Sequence, residues 1–97
     1  MSEQAEAWAQ ALIKRGYIDI AGTRLTLGIA SIEPAGEFSA ELRPNIRVSD
    51  TITPNVVPST LAHEIGHAAG WITASAGEDE VFANAFAIGL IAVLEGK

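Results

Sequence analysis

The fold depends on residues 59–70, which read STLAHEIGHAAG. Ser59 and Thr60 are residues that cap helix N-termini, and Gly70 is a residue that often follows a helix C-terminus. The segment therefore predicts a helix that begins at Ser59 or Thr60 and ends at Ala69. Apolar residues recur along it at helical spacing, which predicts one buried face. They are Leu61, Ile65, Ala68 and Ala69.

The same helix carries both histidines of the chain, His63 and His67. Residues four apart lie one above the other on a helix face, so both imidazoles can point at one metal ion. Glu64 comes next to His63 and can hold a metal-activated water without binding the metal itself. Two unrelated structural histidines are the alternative, which this spacing disfavours. The pattern predicts a Zn²⁺ site with His63 and His67 as ligands and Glu64 as the catalytic base.

A catalytic zinc needs a third protein ligand besides the two histidines. The chain has no cysteine and no further histidine, so this ligand must be a carboxylate. The next acidic residues are Glu78, Asp79 and Glu80, at the start of the following predicted helix, which an antiparallel pair would bring close. We favour Glu80, because the small residues Ala83 and Ala87 lie on its face and allow close helix packing. The alternative is that all three acids only complement the helix dipole.

Upstream of the histidines, the sequence predicts a helix and then strands. Ser2 can cap a helix that runs to Arg15, and Gly16 can end it. Its predicted buried stripe consists of Ala5, Trp8, Ala9 and Leu12. From residue 17 to about residue 50, period-two alternation and turn residues predict a small, mainly antiparallel sheet. The predicted strands are residues 24–29, 38–42 and 45–49.

The remaining segments complete an α+β domain that spans residues 1–97. Residues 50–58 hold two prolines and are predicted to form an ordered loop, and residues 71–77 are predicted to form a connector. Residues 78–95 are predicted to form the last helix. Because this helix is apolar on more than one face, we expect it to run through the core.

Composition excludes several classes of function. A net charge of −6 and scattered basic residues argue against nucleic-acid binding. The first residues are acidic and lack the features of a secretory signal, and the most apolar stretch, residues 81–94, is too short to span a bilayer. We therefore expect a soluble cytoplasmic protein with no membrane partner. The sequence does not indicate an oligomeric state.

Two stretches resemble the ImmA/IrrE-like gluzincin peptidases: HEIGH at 63–67 and EVFANAFA at 80–87. In that family the histidine-pair helix is followed by a helix with the pattern E-x-x-A-N-x-F-A, whose glutamate is the third zinc ligand. The resemblance covers roughly residues 45–87 and implies that Glu80 is that ligand in a minimal zincin fold. The gap from His67 to Glu80 is shorter than usual for the family, and the additional helical regions of longer members are absent. Both departures resemble the very small proteins called minigluzincins.

A second family shares the first part of this motif. The metzincins have a glycine at the position of Gly70 and a third zinc ligand three residues later. That position is Thr73 here, which is not a histidine or an aspartate. The metzincin interpretation therefore fails at its deciding residue.

These features predict a zinc-dependent endopeptidase in which Glu64 transfers the proton of the attacking water. The resemblance implies a specific protein or peptide substrate, held extended along a sheet edge. Residues 45–49 are a candidate strand of that sheet. Zincins also need a group that stabilises the developing oxyanion. The available candidates are Tyr17, Arg43 and Arg47, although a structural role is the favoured interpretation for each of them.

Two other functions remain open at this point. The chain could be a zinc-binding regulatory or interaction domain with weak, latent or no peptidase activity. Alternatively, the zinc could be structural, with Asp79 or Glu78 completing a closed coordination shell. Structural zinc sites are mostly rich in cysteine, so the last interpretation is the least favoured.

Overall fold

The computed structural model describes residues 2–74 and 77–96, and these residues form an α+β fold. A helix, a four-stranded sheet and two further helices follow one another along the chain, which confirms the predicted fold class. The elements are α1 (Glu3–Arg15), β1 (Tyr17–Ile20), β2 (Thr23–Ala30), β3 (Gly36–Ser39), β4 (Asn45–Ser49), α2 (Val57–Ala74) and α3 (Glu80–Leu94).

Helix α1 follows the sequence prediction closely. The Ser2 side chain accepts a hydrogen bond from the backbone N–H of Ala5, so it caps the helix. Gly16 ends the helix with φ 85°, a left-handed conformation that glycine adopts without strain, and its N–H donates to the carbonyl of Leu12. Of the predicted stripe, Ala5, Ala9 and Leu12 are buried and Trp8 is partly buried.

The sheet has the strand order β1-β2-β4-β3, and it is mixed. The β1–β2 and β3–β4 pairs are antiparallel, but β2 and β4 run parallel, which the expectation of a mainly antiparallel sheet did not specify. The parallel pair arises because the chain crosses from β2 to the far edge, forms β3, and returns so that β4 lies between them. Strand β3 is therefore the edge strand on that side, and β4 is internal.

Several predicted boundaries are wrong, for local reasons. Helix α2 begins at Val57, so the loop predicted for residues 50–58 ends earlier than expected. Pro58 is tolerated in the first turn of the helix, because a backbone N–H there would have no partner within the helix. The helix does not end at Ala69 but continues through Gly70 to Ala74. Glycine inside a helix costs only about 1 kcal/mol relative to alanine, which tertiary packing can offset.

The second predicted strand, residues 38–42, is shifted. Strand β3 covers Gly36–Ser39, where it pairs with β4, and residues 40–44 form the turn between the two strands. In the predicted connector 71–77, the first four residues belong to α2, and residues 75 and 76 lie outside the described part of the chain. Helix α3 begins at Glu80 rather than at residue 78, because Asp79 is its N-cap.

The core lies between the sheet and the helices α1 and α2. Helix α3 packs chiefly against α2, and Ala83 is its single buried residue. The prediction that the last helix runs through the core is therefore wrong, because α2 already occupies the face of the sheet. Within the described ranges, no helix is long and apolar enough to cross a membrane. The core cluster includes Leu25, Leu27, Ile46, Val48, Leu61 and Ile65.

Candidate metal centre

The structure brings together the three side chains that the sequence singled out as metal ligands. His63 and His67 lie one turn apart on α2, and their Nε2 atoms are 3.1 Å from each other. The carboxylate of Glu80, at the start of α3, lies 3.2 Å from Nε2 of His63 and 2.9 Å from Nε2 of His67. Within the described ranges, these three residues are the only group of His, Cys, Asp and Glu close enough to share a metal ion.

The protonation of His67 shows that this arrangement suits a cation. Its Nδ1 is 2.7 Å from the carbonyl oxygen of Gly77, which can only accept a hydrogen bond, so Nδ1 carries the proton of the neutral ring. The Nε2 atom then presents a lone pair to the Glu80 carboxylate, 2.9 Å away. Two electron-rich atoms at this distance need a positive charge between them, either a metal ion or an added proton.

The separations also fit a zinc ion. With ligand distances of about 2.0–2.1 Å and tetrahedral angles, two ligand atoms on zinc lie about 3.3 Å apart. The three separations here are 2.9, 3.1 and 3.2 Å, close to that value. Two histidines and one glutamate are also a donor set of catalytic zinc sites, which leave one position open. The residues present therefore fit Zn²⁺.

The Gly77 carbonyl orients His67. A hydrogen bond from the second ring nitrogen to a carbonyl fixes both the tautomer and the ring direction of a metal-binding histidine. Residue 77 also lies close to Trp71: a Cβ at position 77 would be 2.9 Å from the Trp71 Cβ. Glycine at this position therefore lets the backbone approach both the imidazole and the indole.

Gly66 sets the distance between the two helices that carry the site. A Cβ at Gly66 would lie 2.9 Å from the Cα and 3.0 Å from the carbonyl oxygen of Ala83 on α3. Because backbone atoms cannot move aside, only glycine permits this approach. The close contact brings the first turn of α3, and with it Glu80, up to the histidines. Sequence reasoning identified Ala83 as part of this contact but missed Gly66, although an interior helix glycine is itself a signal of close packing.

Asp79 and Glu78, the alternative carboxylates, have other surroundings. The Asp79 side chain accepts a hydrogen bond from the backbone N–H of Phe82 and so caps α3. Glu78 lies on the rim of the cleft beside the metal centre. Neither belongs to the group that can share a metal ion.

Glu64 is the buried carboxyl of the site, with 8% of its surface exposed. Burial raises the pKa of Glu64 above its usual value; the neighbouring His63 and His67 act in the opposite direction, and Glu80 adds to the rise. Strand β3 lies directly against this side chain, because a Cβ at Gly36 would be 3.1 Å from the Glu64 Cγ. A carboxylate with a raised pKa is a better proton acceptor near neutral pH.

The candidate centre lies in an open cleft with a volume of about 490 Å³. Its lining comes from β3 and the preceding Pro34, from α2, and from Gly77, Glu78 and Glu80. Both Glu64 and the two histidines line this cleft. A ligand can therefore reach the candidate metal ligands and the buried carboxyl at the same time.

The structure does not bring the three candidate oxyanion-stabilising residues to this cleft. Tyr17 lies on β1, the opposite edge of the sheet, between the guanidinium groups of Arg15 and Arg24. Arg47 forms an ion pair with Glu37. Arg43 lines a separate surface pocket on β2 and β4.

Comparisons with protein-family models, with curated proteins and with solved structures find no match to this chain. The functional assignment therefore depends on the residues of the cleft and their geometry.

Proposed function

We propose that this chain is a zinc-dependent endopeptidase of the gluzincin type. His63, His67 and Glu80 would hold Zn²⁺, and Glu64 would act as the general base. One observation carries the proposal: the Nε2 atom of His67 faces the Nε2 of His63 and the Glu80 carboxylate, beside a second carboxylate that is buried. A structural site has no use for that second carboxylate, whereas peptide hydrolysis needs a proton acceptor at this position.

In the proposed reaction, the metal ion and Glu64 would have separate roles. When bound to such a donor set, Zn²⁺ acts as a Lewis acid that polarises a carbonyl group and lowers the pKa of water. Glu64 accepts a proton from the attacking water and later delivers it to the leaving amine. Its burial favours this role, because a raised pKa makes the carboxylate a better proton acceptor.

The edge strand β3 offers a place for an extended substrate. Its backbone pairs with β4 on one side only, so the other side can add a peptide strand. Gly36 places this strand in contact with Glu64, so an added peptide would run past the candidate centre. The substrate we propose is therefore a protein or peptide segment in extended form. The proposal also includes a cytoplasmic location.

A second candidate function is a zinc-binding regulatory domain with weak or latent peptidase activity. The specific observation in its favour is that Tyr17, Arg43 and Arg47 lie away from the cleft. A missing oxyanion donor costs roughly two to three orders of magnitude in rate in other hydrolases. The two candidates differ in rate and not in metal binding.

Elemental analysis of bound zinc tests both candidates first. The protein is stripped with a chelator, reloaded and compared with Glu64→Gln and Glu80→Ala. We expect stoichiometric zinc in the wild type and in Glu64→Gln, and a marked loss in Glu80→Ala. Glu78→Ala is the matched control and should keep its zinc. Wild-type protein without stoichiometric zinc would exclude both functions, and full retention in Glu80→Ala would exclude the proposed third ligand.

A further inference from the structure

The cleft of the candidate metal centre continues into a second pocket with a volume of about 390 Å³. The two share Phe38, Gly77 and Glu78, and the second pocket also contains Trp71 and Ala40. Phe38 is two residues along β3 from Gly36, which contacts Glu64. Two strand residues span about 7 Å. If a peptide pairs with β3 so that its scissile bond lies at Glu64, a side chain next to that bond would therefore lie at this pocket.

An aromatic pair forms the wall of this pocket. The ring centroids of Phe38, on β3, and Trp71, on α2, are 5.6 Å apart, and the rings are tilted by 52°. Both rings are half-buried and therefore held in place, yet part of each remains open to the pocket. The pocket remains open beside the indole because residue 77 is glycine.

A carboxylate stands at the rim of the same pocket. Glu78 lines both the pocket and the metal cleft, and in residues 2–74 and 77–96 it has no ion-pair partner. Glu37, which lines the metal cleft but not this pocket, is paired with Arg47. Glu78 is therefore available to a positive charge that enters with a ligand.

Together, Phe38, Trp71 and Glu78 favour a positively charged side chain in this pocket. A long basic side chain can lay its methylene groups along the rings and place its cation over a ring face and beside Glu78. An acidic side chain would be repelled by Glu78, and an uncharged one would not use that carboxylate. We propose that this pocket is the substrate subsite for an arginine or lysine side chain next to the scissile bond. The subsite rests on the proposed peptidase function.

The first arm of the test measures binding. Two peptides, acetyl-Ala-Ala-Arg-Ala-Ala-amide and the same peptide with citrulline, differ in charge but not in shape. They are titrated into zinc-loaded protein carrying Glu64→Gln, to prevent cleavage, and Trp8→Phe, so that fluorescence reports on Trp71. We expect the arginine peptide to bind about five- to tenfold more tightly. This factor corresponds to the combined free energy of an exposed cation–π contact and an exposed ion pair. Adding Glu78→Gln should remove most of that preference and leave the zinc content unchanged.

The second arm measures cleavage. Zinc-loaded wild-type protein is incubated with a proteome digested at glutamate, which keeps internal arginine and lysine, and new termini are identified by mass spectrometry. We expect basic residues to be enriched at one position adjacent to the cleaved bond, and the enrichment to fall in Glu78→Gln.

The two arms separate the possible failures. Equal binding of the two peptides, or cleavage without a basic preference, would overturn the subsite and leave the peptidase standing. No cleavage beyond that of Glu64→Gln would overturn the proposed function, and the subsite with it.

Discussion

The two helices that carry the candidate site differ in how they are held. Helix α2 is buried between the sheet and its neighbouring helices, and its Glu64 has 8% of its surface exposed. Helix α3 contacts mainly α2, and the side chain of its Glu80 is 68% exposed. The core therefore fixes two candidate ligands and the base, whereas the third ligand depends on a single helix–helix contact.

This difference suits a site with two kinds of carboxylate. Burial on α2 raises the pKa of Glu64, as a proton acceptor requires. Exposure on α3 leaves the Glu80 carboxylate at the end of an open cleft, next to the imidazoles of His63 and His67. Two glutamates, Glu64 and Glu80, thus lie in different environments because they are carried by different helices.

The largest expected effect comes from replacing the carboxylate on α2. Glu64→Gln should lower kcat/KM for peptide cleavage by about 10²- to 10⁴-fold, because it removes the proton acceptor. Zinc content should stay at the wild-type level, since this residue lies outside the proposed ligand set. Rates on a mixed peptide substrate, measured beside elemental analysis of the same samples, check both statements. A variant that kept the wild-type rate would show that the buried carboxylate takes no part in the reaction.

Zinc should stabilise α3 more than α2. A ligand present at a hundredfold excess over its Kd stabilises the folded state by about 2.7 kcal/mol. Because α3 packs chiefly on α2, we expect it to open locally when the metal is removed. Hydrogen exchange of backbone amides, with and without zinc, should show the larger change in protection in residues 80–94. Equal changes in both helices would mean that α3 is held as firmly as α2 without metal.

The next expected effect concerns the contact between the helices. Gly66→Ala would place a Cβ 2.9 Å from the Ala83 Cα, and overpacking of this kind costs about 1–3 kcal/mol. The helices must separate, so zinc affinity should fall together with stability. Gly89→Ala on α3 is the matched control, because nothing lies within 4 Å of its Cβ position. It should stabilise the protein by about 0.5–1 kcal/mol.

Urea unfolding of the metal-free proteins, followed by zinc titration, distinguishes the two glycines. If Gly66→Ala is as stable as Gly89→Ala and keeps its zinc affinity, the close approach at Gly66 does not position Glu80.

Sequence reasoning succeeded where a local pattern sufficed. The cap at Ser2, the stop at Gly16 and the period-two strand at β2 are all visible within a few residues. The gathering of His63, His67 and Glu80 followed from helical spacing and a count of available ligands. Each of these inferences needs only the geometry of one element or of one pair of neighbouring helices.

Apart from helix and strand boundaries, the failures depend on packing between distant segments. Helix α3 is as apolar as a core helix, yet Val81, Ile88 and Val93 are exposed, because α2 already covers the sheet. The parallel pairing of β2 with β4 depends on where the chain returns after β3. Gly36 and Gly66 matter through atoms on other elements, and a local pattern does not identify those partners.

The smallest expected effect tests the burial of Glu64 in the metal-free protein. Because its pKa is raised, chiefly by burial, the folded state holds the carboxyl proton more tightly than the unfolded chain. The resulting contribution to stability is fully present below the ordinary glutamate value of 4.5 and is lost as the pH rises through the raised pKa.

Glutamine does not titrate, so it isolates this contribution. The free energy of unfolding of wild type minus that of Glu64→Gln should therefore decrease as the pH rises above the ordinary glutamate value of 4.5. A flat difference for Glu64→Gln would mean that α2 does not desolvate its glutamate, and the contrast between the two helices would then be one of packing alone.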